Sequence, residues 1–451
     1  MAATMIDCVV FGSLWSKRSV KELFDEVPRT KTWLEILAVL AEVEAEYDLI
    51  PADAALLIAK VCRTLTVDDE FLEEVRCGRE ESGHSTQGLI RAIQRRLTPN
   101  SARWVYSGAT VQDVTDTWLM IALREARRIL ERDLEEVDCA LAMLARRHRD
   151  TVMAGRTHGQ HGLPITFGFK VAGWLAEVRR HRRRLREIAA RMDVAQLSGG
   201  VGSLSSLGPR GLDLQRQFAE RLGLRAPVVS WNTSRDVFAE WCTLLTLVTG
   251  TADRIGHEVY NLQRTEIGEV KEGFVAGTIG SITMPHKRNP EIGEHLGTLS
   301  RIVRHLGAAM LEGLVHDHER DGRSWKTEWH AIPEVTMLAS RVIELLKGLA
   351  SSLEVDEVRM RANLEASGGF ALSEAIMLAL APQLGRDAAH RLLYETSIVA
   401  RERDQTLIEA VRANAVISAA FGEGELELLL DYTFHTGLCG AMVDRVLAEE
   451  P

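Results

Sequence analysis

A chain of 451 residues that is 46% hydrophobic has the apolar material for a large core or several, and its length suggests two or three domains. A formal net charge of −10 argues against a nucleic-acid partner, apolar runs fall short of the roughly 18 residues a membrane span needs, and no basic-then-apolar export segment opens the chain. The six cysteines (Cys8, Cys62, Cys77, Cys139, Cys242, Cys439) form no CxxC pair, so reduced, mostly buried thiols are expected rather than disulfides or a zinc site, and with them a cytoplasmic setting.

In chain order, residues 1–109 form a helical segment without repeats, in which GHSTQGLIRAI sets His84 just ahead of a helical pattern. Read alone, such a histidine is a cap or a surface residue. Residues 111–154 hold neither Gly nor Pro, and Val114, Trp118, Ile121, Leu130, Leu134, Val137, Leu141 and Leu144 recur at three- and four-residue steps, which predicts one very long helix. At its start, SGATVQDVTDT places Thr110, Gln112 and Asp113 where free backbone N–H groups can be capped or can receive a carboxylate.

The stretch GRTHGQHGLPITFG, residues 155–168, is dense in Arg156, Thr157, His158, Gln160 and His161 where the periodicity lapses, and reads as a polar functional loop. Further long helices are predicted over about 170–198, 234–268, 289–318 and 326–352. The basic run RRHRRR, Arg179 to Arg184, sits on the first of these and reads as a polar face carrying ion pairs. Residues 355–451 close the chain as a smaller helical cap. The expected fold class is therefore all-α with three helical domains, 1–109, 110–354 and 355–451, the central one a five-helix bundle whose surplus apolar stripes pack on copies of itself. No glycine fingerprint for a dinucleotide is present, and neither a cofactor nor a metal is expected.

Residues 280–290, GSITMPHKRNP, set Ser281 among glycines, prolines and the cations Lys287 and Arg288, a composition suited to an anion. This loop resembles the signature of the fumarase/aspartase superfamily, GSSxMPxKxNxxxxE, at Gly280, Ser281, Met284, Pro285, Lys287, Asn289 and Glu294, with Ile282 in place of the second serine. Three more stretches, around His84, Thr110 and His158, resemble the same superfamily. The resemblance implies a homotetramer with shared active sites and a pooled twenty-helix core. It also implies proton removal from the carbon next to a carboxylate and loss of a group from the neighbouring carbon. In that scheme Ser281 is the base, His158 the proton donor paired with Glu294, and Lys287 a stabiliser of the charge that moves onto the carboxylate. His84, Thr110, Gln112, Thr157, Asn289 and Arg320 would hold the substrate.

The wording THGQ and HKRNP is similar to adenylosuccinate lyases and 3-carboxy-cis,cis-muconate cycloisomerases. Within HDHERDGRSWKTEWHAIPE, residues 316–334, Trp325, Lys326 and Trp329 stand where the nucleotide enzymes carry phosphate-binding groups, and two indoles with one flexible ammonium cannot reproduce a forked guanidinium. The expected substrate is a small di- or tricarboxylate, an N- or O-substituted succinate cleaved to fumarate or a fumarate analogue. A cycloisomerase is the alternative, followed by an adenylosuccinate lyase and an inactive structural homologue. Val111 and Ile282, at positions where family members generally have serine, leave the leaving group open.

Overall fold

The computed structural model describes residues 4–274, 277, 280–284, 286–422 and 424–449; Pro285, one of the signature positions, lies outside them. The fold is all-α: nineteen α-helices and four short strands occur among the described residues. The labels used below are α1 (Glu26–Glu46), α2 (Asp69–Ser82), α3 (Val111–Arg147), β1 (Val152–Thr157), β2 (Gln160–Thr166), α4 (Phe167–Met192), α5 (Asp236–Leu262), β3 (Val270–Lys271), α6 (Glu291–Glu312), α7 (Gly322–Ser352) and β4 (Glu354–Val355).

The five long helices are α3 to α7, as the periodicity predicts; α3, α5 and α6 are shorter than expected, whereas α4 begins earlier, at Phe167, and stops earlier, at Met192, and α7 begins earlier, at Gly322, and ends at Ser352 as expected. The largest difference is in α3. It stops at Arg147, and residues 152–166 form an antiparallel hairpin instead of the last helical turn and a loop. The reason is local. His158 and Gly159 both take positive φ, +53° and +75°, so the chain makes a two-residue turn whose twist matches that of paired strands.

The residues group into two compact units. The first comprises Met1–Asp133, His181–Gly250 and Thr298–Glu344. Its interior holds α1 residues such as Leu34, Ile36 and Leu40 and, farther along the chain, Phe238, Trp241, Ile332 and Val335, all almost completely buried. The indole of Trp241 donates to Thr336 Oγ1 at 2.9 Å, so that the largest buried side chain leaves no unmet donor.

The second unit comprises Leu134–Arg180, Thr251–Gly297 and Leu345–Pro451. In it α5 and α6 meet at Gly256 and Gly293: a Cβ on Gly293 would lie 3.0 Å from the Gly256 carbonyl oxygen, and one on Gly256 would lie 2.9 Å from Leu296 Cδ1. Only glycines let these backbones approach so closely. A separate apolar cluster, including Leu364, Leu372, Ile376 and Leu393, organises the C-terminal helices.

The RRHRRR run carries an ion pair as expected, with Arg180 and Arg183 exposed, but it is only in part a polar face. Arg179, His181 and Arg182 are buried; Arg179 is bonded to both carboxylate oxygens of Asp138 and to the carbonyls of Val446 and Glu449, and Arg184 to His181. Of the six thiols, all unpaired, Cys62, Cys242 and Cys439 are buried, whereas Cys77 and Cys139 are exposed, so burial holds for half of them.

Candidate active site

The sequence-predicted site residues fall into two sets, one in each unit. Within the second unit, His158 stands at the exposed tip of the β1–β2 hairpin, next to exposed Thr157. A left-handed histidine costs roughly 1–2 kcal/mol relative to ordinary backbone, so something must hold the hairpin in place. That role falls to Arg156, whose guanidinium meets the fully buried carboxylate of Glu269 at 2.5 and 2.9 Å. Asn363 Nδ2 donates to the same carboxylate at 2.9 Å, and Glu269 lies immediately before β3. Burial and the adjacent Arg156 hold His161 below the usual imidazole range.

The signature loop of the same unit closes on itself. Asn289 Nδ2 donates to the Gly280 carbonyl at 3.1 Å, and a Cβ at Gly280 would lie 2.5 Å from the Lys287 carbonyl oxygen. Asn289 thus shapes the loop. The Ser281 hydroxyl oxygen accepts the Met284 N–H at 3.1 Å, while Lys287, Met284 and Ile282 are exposed. Following the loop, Glu294 lies exposed in the first turn of α6. That turn is anchored by Glu272, whose carboxylate accepts Ile292 N–H at 2.9 Å and Gly293 N–H at 2.7 Å. Burial raises the Glu272 carboxyl above its ordinary range despite those two donors.

Within the first unit, Thr110, Gln112, Asp113 and Arg320 come together at the start of α3. Arg320 donates to Thr110 Oγ1 at 2.8 Å and to the Gly200 carbonyl at 3.0 Å. Asp113 receives the backbone N–H groups of Thr110, Ser198 and Gly199 and the Ser198 hydroxyl. Burial nevertheless pushes its carboxyl up to about 6. Gln112, fully buried, donates to the Asn232 carbonyl at 3.0 Å. His84 is exposed and linked locally to Ser82 and Thr86.

One turn along, Asp116 shares the buried Arg235 with Glu328, at 2.7 and 2.8 Å. The WKTEW motif therefore contains a buried carboxylate, Glu328, between Trp325 and Trp329. Val111 is buried at the helix start. Reading from the sequence missed Glu269, Asn363, Glu272, Asn232 and Arg235. Each meets a partner 20 or more residues away, Arg235 being 119 from Asp116, and no local pattern signals such pairs.

Over residues 14–304 the chain matches the family model described as lyase, and over residues 369–446 the model of the adenylosuccinate lyase C-terminus. It is 39% identical to the N-acetyl-S-(2-succino)cysteine lyase of Enterococcus italicus, covering 99% of this chain and 98% of that one. The chain belongs to the fumarase/aspartase superfamily. Other members of this superfamily resemble it over nearly their whole lengths. The 3-carboxy-cis,cis-muconate cycloisomerase of Pseudomonas aeruginosa is 37% identical over 98% of this chain and 96% of that one. The crystal structure of a fumarate lyase from Mesorhizobium sp. BNC1 superposes with a TM-score of 0.89 at 36% identity, covering 96% and 98% of the two chains. The protein is thus a lyase of the fumarase/aspartase superfamily, whose members act on small carboxylates.

Proposed function

We propose that this enzyme cleaves a 2-substituted succinate by anti β-elimination, releasing fumarate, and that the substituent is joined through sulfur. The observation that carries the chemistry is the Ser281 hydroxyl oxygen, which accepts a backbone N–H in a loop closed by Asn289. A donor already aimed at that oxygen stabilises a serinolate before substrate arrives. In this reading Ser281 takes the proton from the carbon next to one carboxylate, and the electron pair moves onto that carboxylate beside Lys287. The C–S bond then breaks as His158, oriented with Glu294, gives its proton to the departing thiolate. Thr110, Thr157, Asn289 and Arg320 hold the carboxylates, with His84 beside them, while the buried Gln112, whose amide donates to the Asn232 carbonyl, fixes the start of α3. The products are fumarate and a free thiol, with every proton accounted for.

Sulfur enters through the relatives. Alignment over essentially the full length with an N-acetyl-S-(2-succino)cysteine lyase extends the N- or O-substituted succinates expected from sequence to thioethers. The catalytic assembly is a homotetramer: His158 and His84 are exposed in one protomer, as expected of side chains that meet their partners across subunit boundaries. A second reading, cycloisomerisation of a carboxymuconate, rests on the 37% identity to the Pseudomonas enzyme and needs the same base and acid.

The deciding experiment offers N-acetyl-S-(2-succino)cysteine, 3-carboxy-cis,cis-muconate and adenylosuccinate in parallel. Fumarate appearing with a free thiol from the first, faster than turnover of the other two, is expected. Lactonisation as the dominant reaction, or efficient adenylosuccinate cleavage, would overturn the proposal.

A further inference from the structure

Within the first unit a cavity of about 710 Å³ opens beside the residues at the start of α3, a size typical of sites for ligands larger than a simple diacid. It shares the surface of that helix. Gln112 lies near the helix start, Thr115 and Asp116 about one turn of 5.4 Å further on, and Trp118 and Leu119 in the turn after that, the last four lining the cavity. Ser85, which follows His84, is on its wall as well.

The lining is aromatic. Four indoles face it, in two edge-to-face pairs: Trp33 with Trp118 at 6.2 Å between ring centroids, and Trp325 with Trp329 at 4.9 Å. Arg29 lies over both Trp33 and Trp118, at 5.8 and 5.9 Å. Flat rings set at right angles leave slots that another flat ring fills well.

Its charge is equally selective. Eight carboxylates line the cavity against four cations, and three of those cations are already held, Lys21 by Asp25, Arg29 by Glu26 and Arg76 by Glu73. Arg235, paired with Asp116 and Glu328, leaves the balance negative. Lys326 is exposed and does not belong to the wall. A phosphate or carboxylate entering this space would meet net repulsion, whereas a neutral ring or an organic cation meets π-faces and an acidic rim.

From this geometry we infer that the leaving group is an aromatic group without anionic charge, seated among these four tryptophans. The inference rests on the proposed elimination and names the substrate class for it.

A test that does not depend on turnover uses two carbon analogues that cannot be cleaved, 2-benzylsuccinate and 2-methylsuccinate, titrated calorimetrically into the assembled enzyme. The benzyl compound should bind at least about tenfold more tightly. In Trp329→Ala that ratio should fall below about threefold; Trp329 is 48% exposed, so its loss removes little core. General loosening of the site would weaken both analogues together and leave the ratio intact.

The kinetic arm compares 2-(benzylthio)succinate, 2-(methylthio)succinate and N-acetyl-S-(2-succino)cysteine. A kcat/KM highest for the benzyl compound is expected. Equal binding of the two analogues, no binding of 2-benzylsuccinate, a ratio unmoved by Trp329→Ala, or a preference for the anionic N-acetylcysteine thioether would each overturn the inference. The last of these would leave the elimination standing. Conversely, a strong benzyl preference in binding with no fumarate from any thioether would overturn the elimination alone.

Discussion

Ser281 and Glu44 show how far a single side chain's surroundings set its chemistry. Ser281 has an N–H donor on its oxygen and an exposed loop around it, an arrangement suited to a base that works only once substrate covers it. Ser281→Ala should lower kcat by about a hundredfold to ten-thousandfold while leaving the melting temperature and the affinity for fumarate little changed. A near wild-type rate, measured by fumarate absorbance, would move the base elsewhere. Glu44 is the opposite case. Its carboxyl is 1% exposed, both oxygens lack a hydrogen-bond partner, and burial pushes it up to about 9 from 4.5. Between those two pH values the folded protein holds a proton that the unfolded chain has released. Stability therefore falls as pH rises through that window, by at most about 1.4 kcal/mol per pH unit. Glu44→Gln should flatten this dependence, raising the melting temperature at pH 8 and changing it little near pH 4.5. Equal slopes for the two proteins would show that Glu44 ionises in place.

At the scale of elements, the short segment from Glu269 to Glu272 ties the histidine hairpin and the signature loop to one frame. Glu269 fixes Arg156 on the hairpin, and Glu272 fixes the first turn of α6; Gln263 accepts the Glu272 N–H at 2.8 Å and donates to the Arg288 carbonyl at 3.2 Å. Both carboxylates act through other groups, so they position rather than react. Glu269→Gln keeps the shape but discards the charge that holds Arg156, and truncating one partner of a buried pair is costly. We expect kcat to fall at least about tenfold with a smaller change in KM, and Glu269→Asp to recover part of the loss. An unchanged kcat with a lowered melting temperature would reduce the clamp to a purely structural one. The hairpin could not be read from the sequence because its strands carry no clean alternation. The signal that was present is the pair His158–Gly159, in which a glycine follows a residue able to take the left-handed conformation.

For the whole molecule, the candidate site residues are divided between two units of one chain, with His84, Thr110, Gln112 and Arg320 in one and Thr157, His158, Ser281, Lys287, Asn289 and Glu294 in the other. If sites are shared among protomers, two defects on different chains can be sorted into intact sites. His158→Ala and Ser281→Ala, each inactive alone, should regain measurable activity when mixed, partly denatured and reassociated, because some hybrid sites hold both groups. Persistent inactivity of a mixture that sedimentation shows to be hybrid tetramers, or a fully active monomer, would defeat the shared-site assembly.

The sequence by itself determined what repeats locally or sits in a short fixed pattern. The five long helices follow from three- and four-residue apolar spacing, and the family follows from four stretches including the loop at Ser281, because both kinds of information lie within a few turns of chain. What tertiary structure alone decided depends on partners far apart in sequence: the Glu269–Arg156–Asn363 clamp, the buried Asp116–Arg235–Glu328 set, and the gathering of Trp33, Trp118, Trp325 and Trp329 around one cavity. Charge pairing and burial are properties of space rather than of order along the chain. A run such as Arg179 to Arg184 therefore reads only as a polar face with ion pairs, and folding alone names the partners, Asp138 and two C-terminal carbonyls against Arg179.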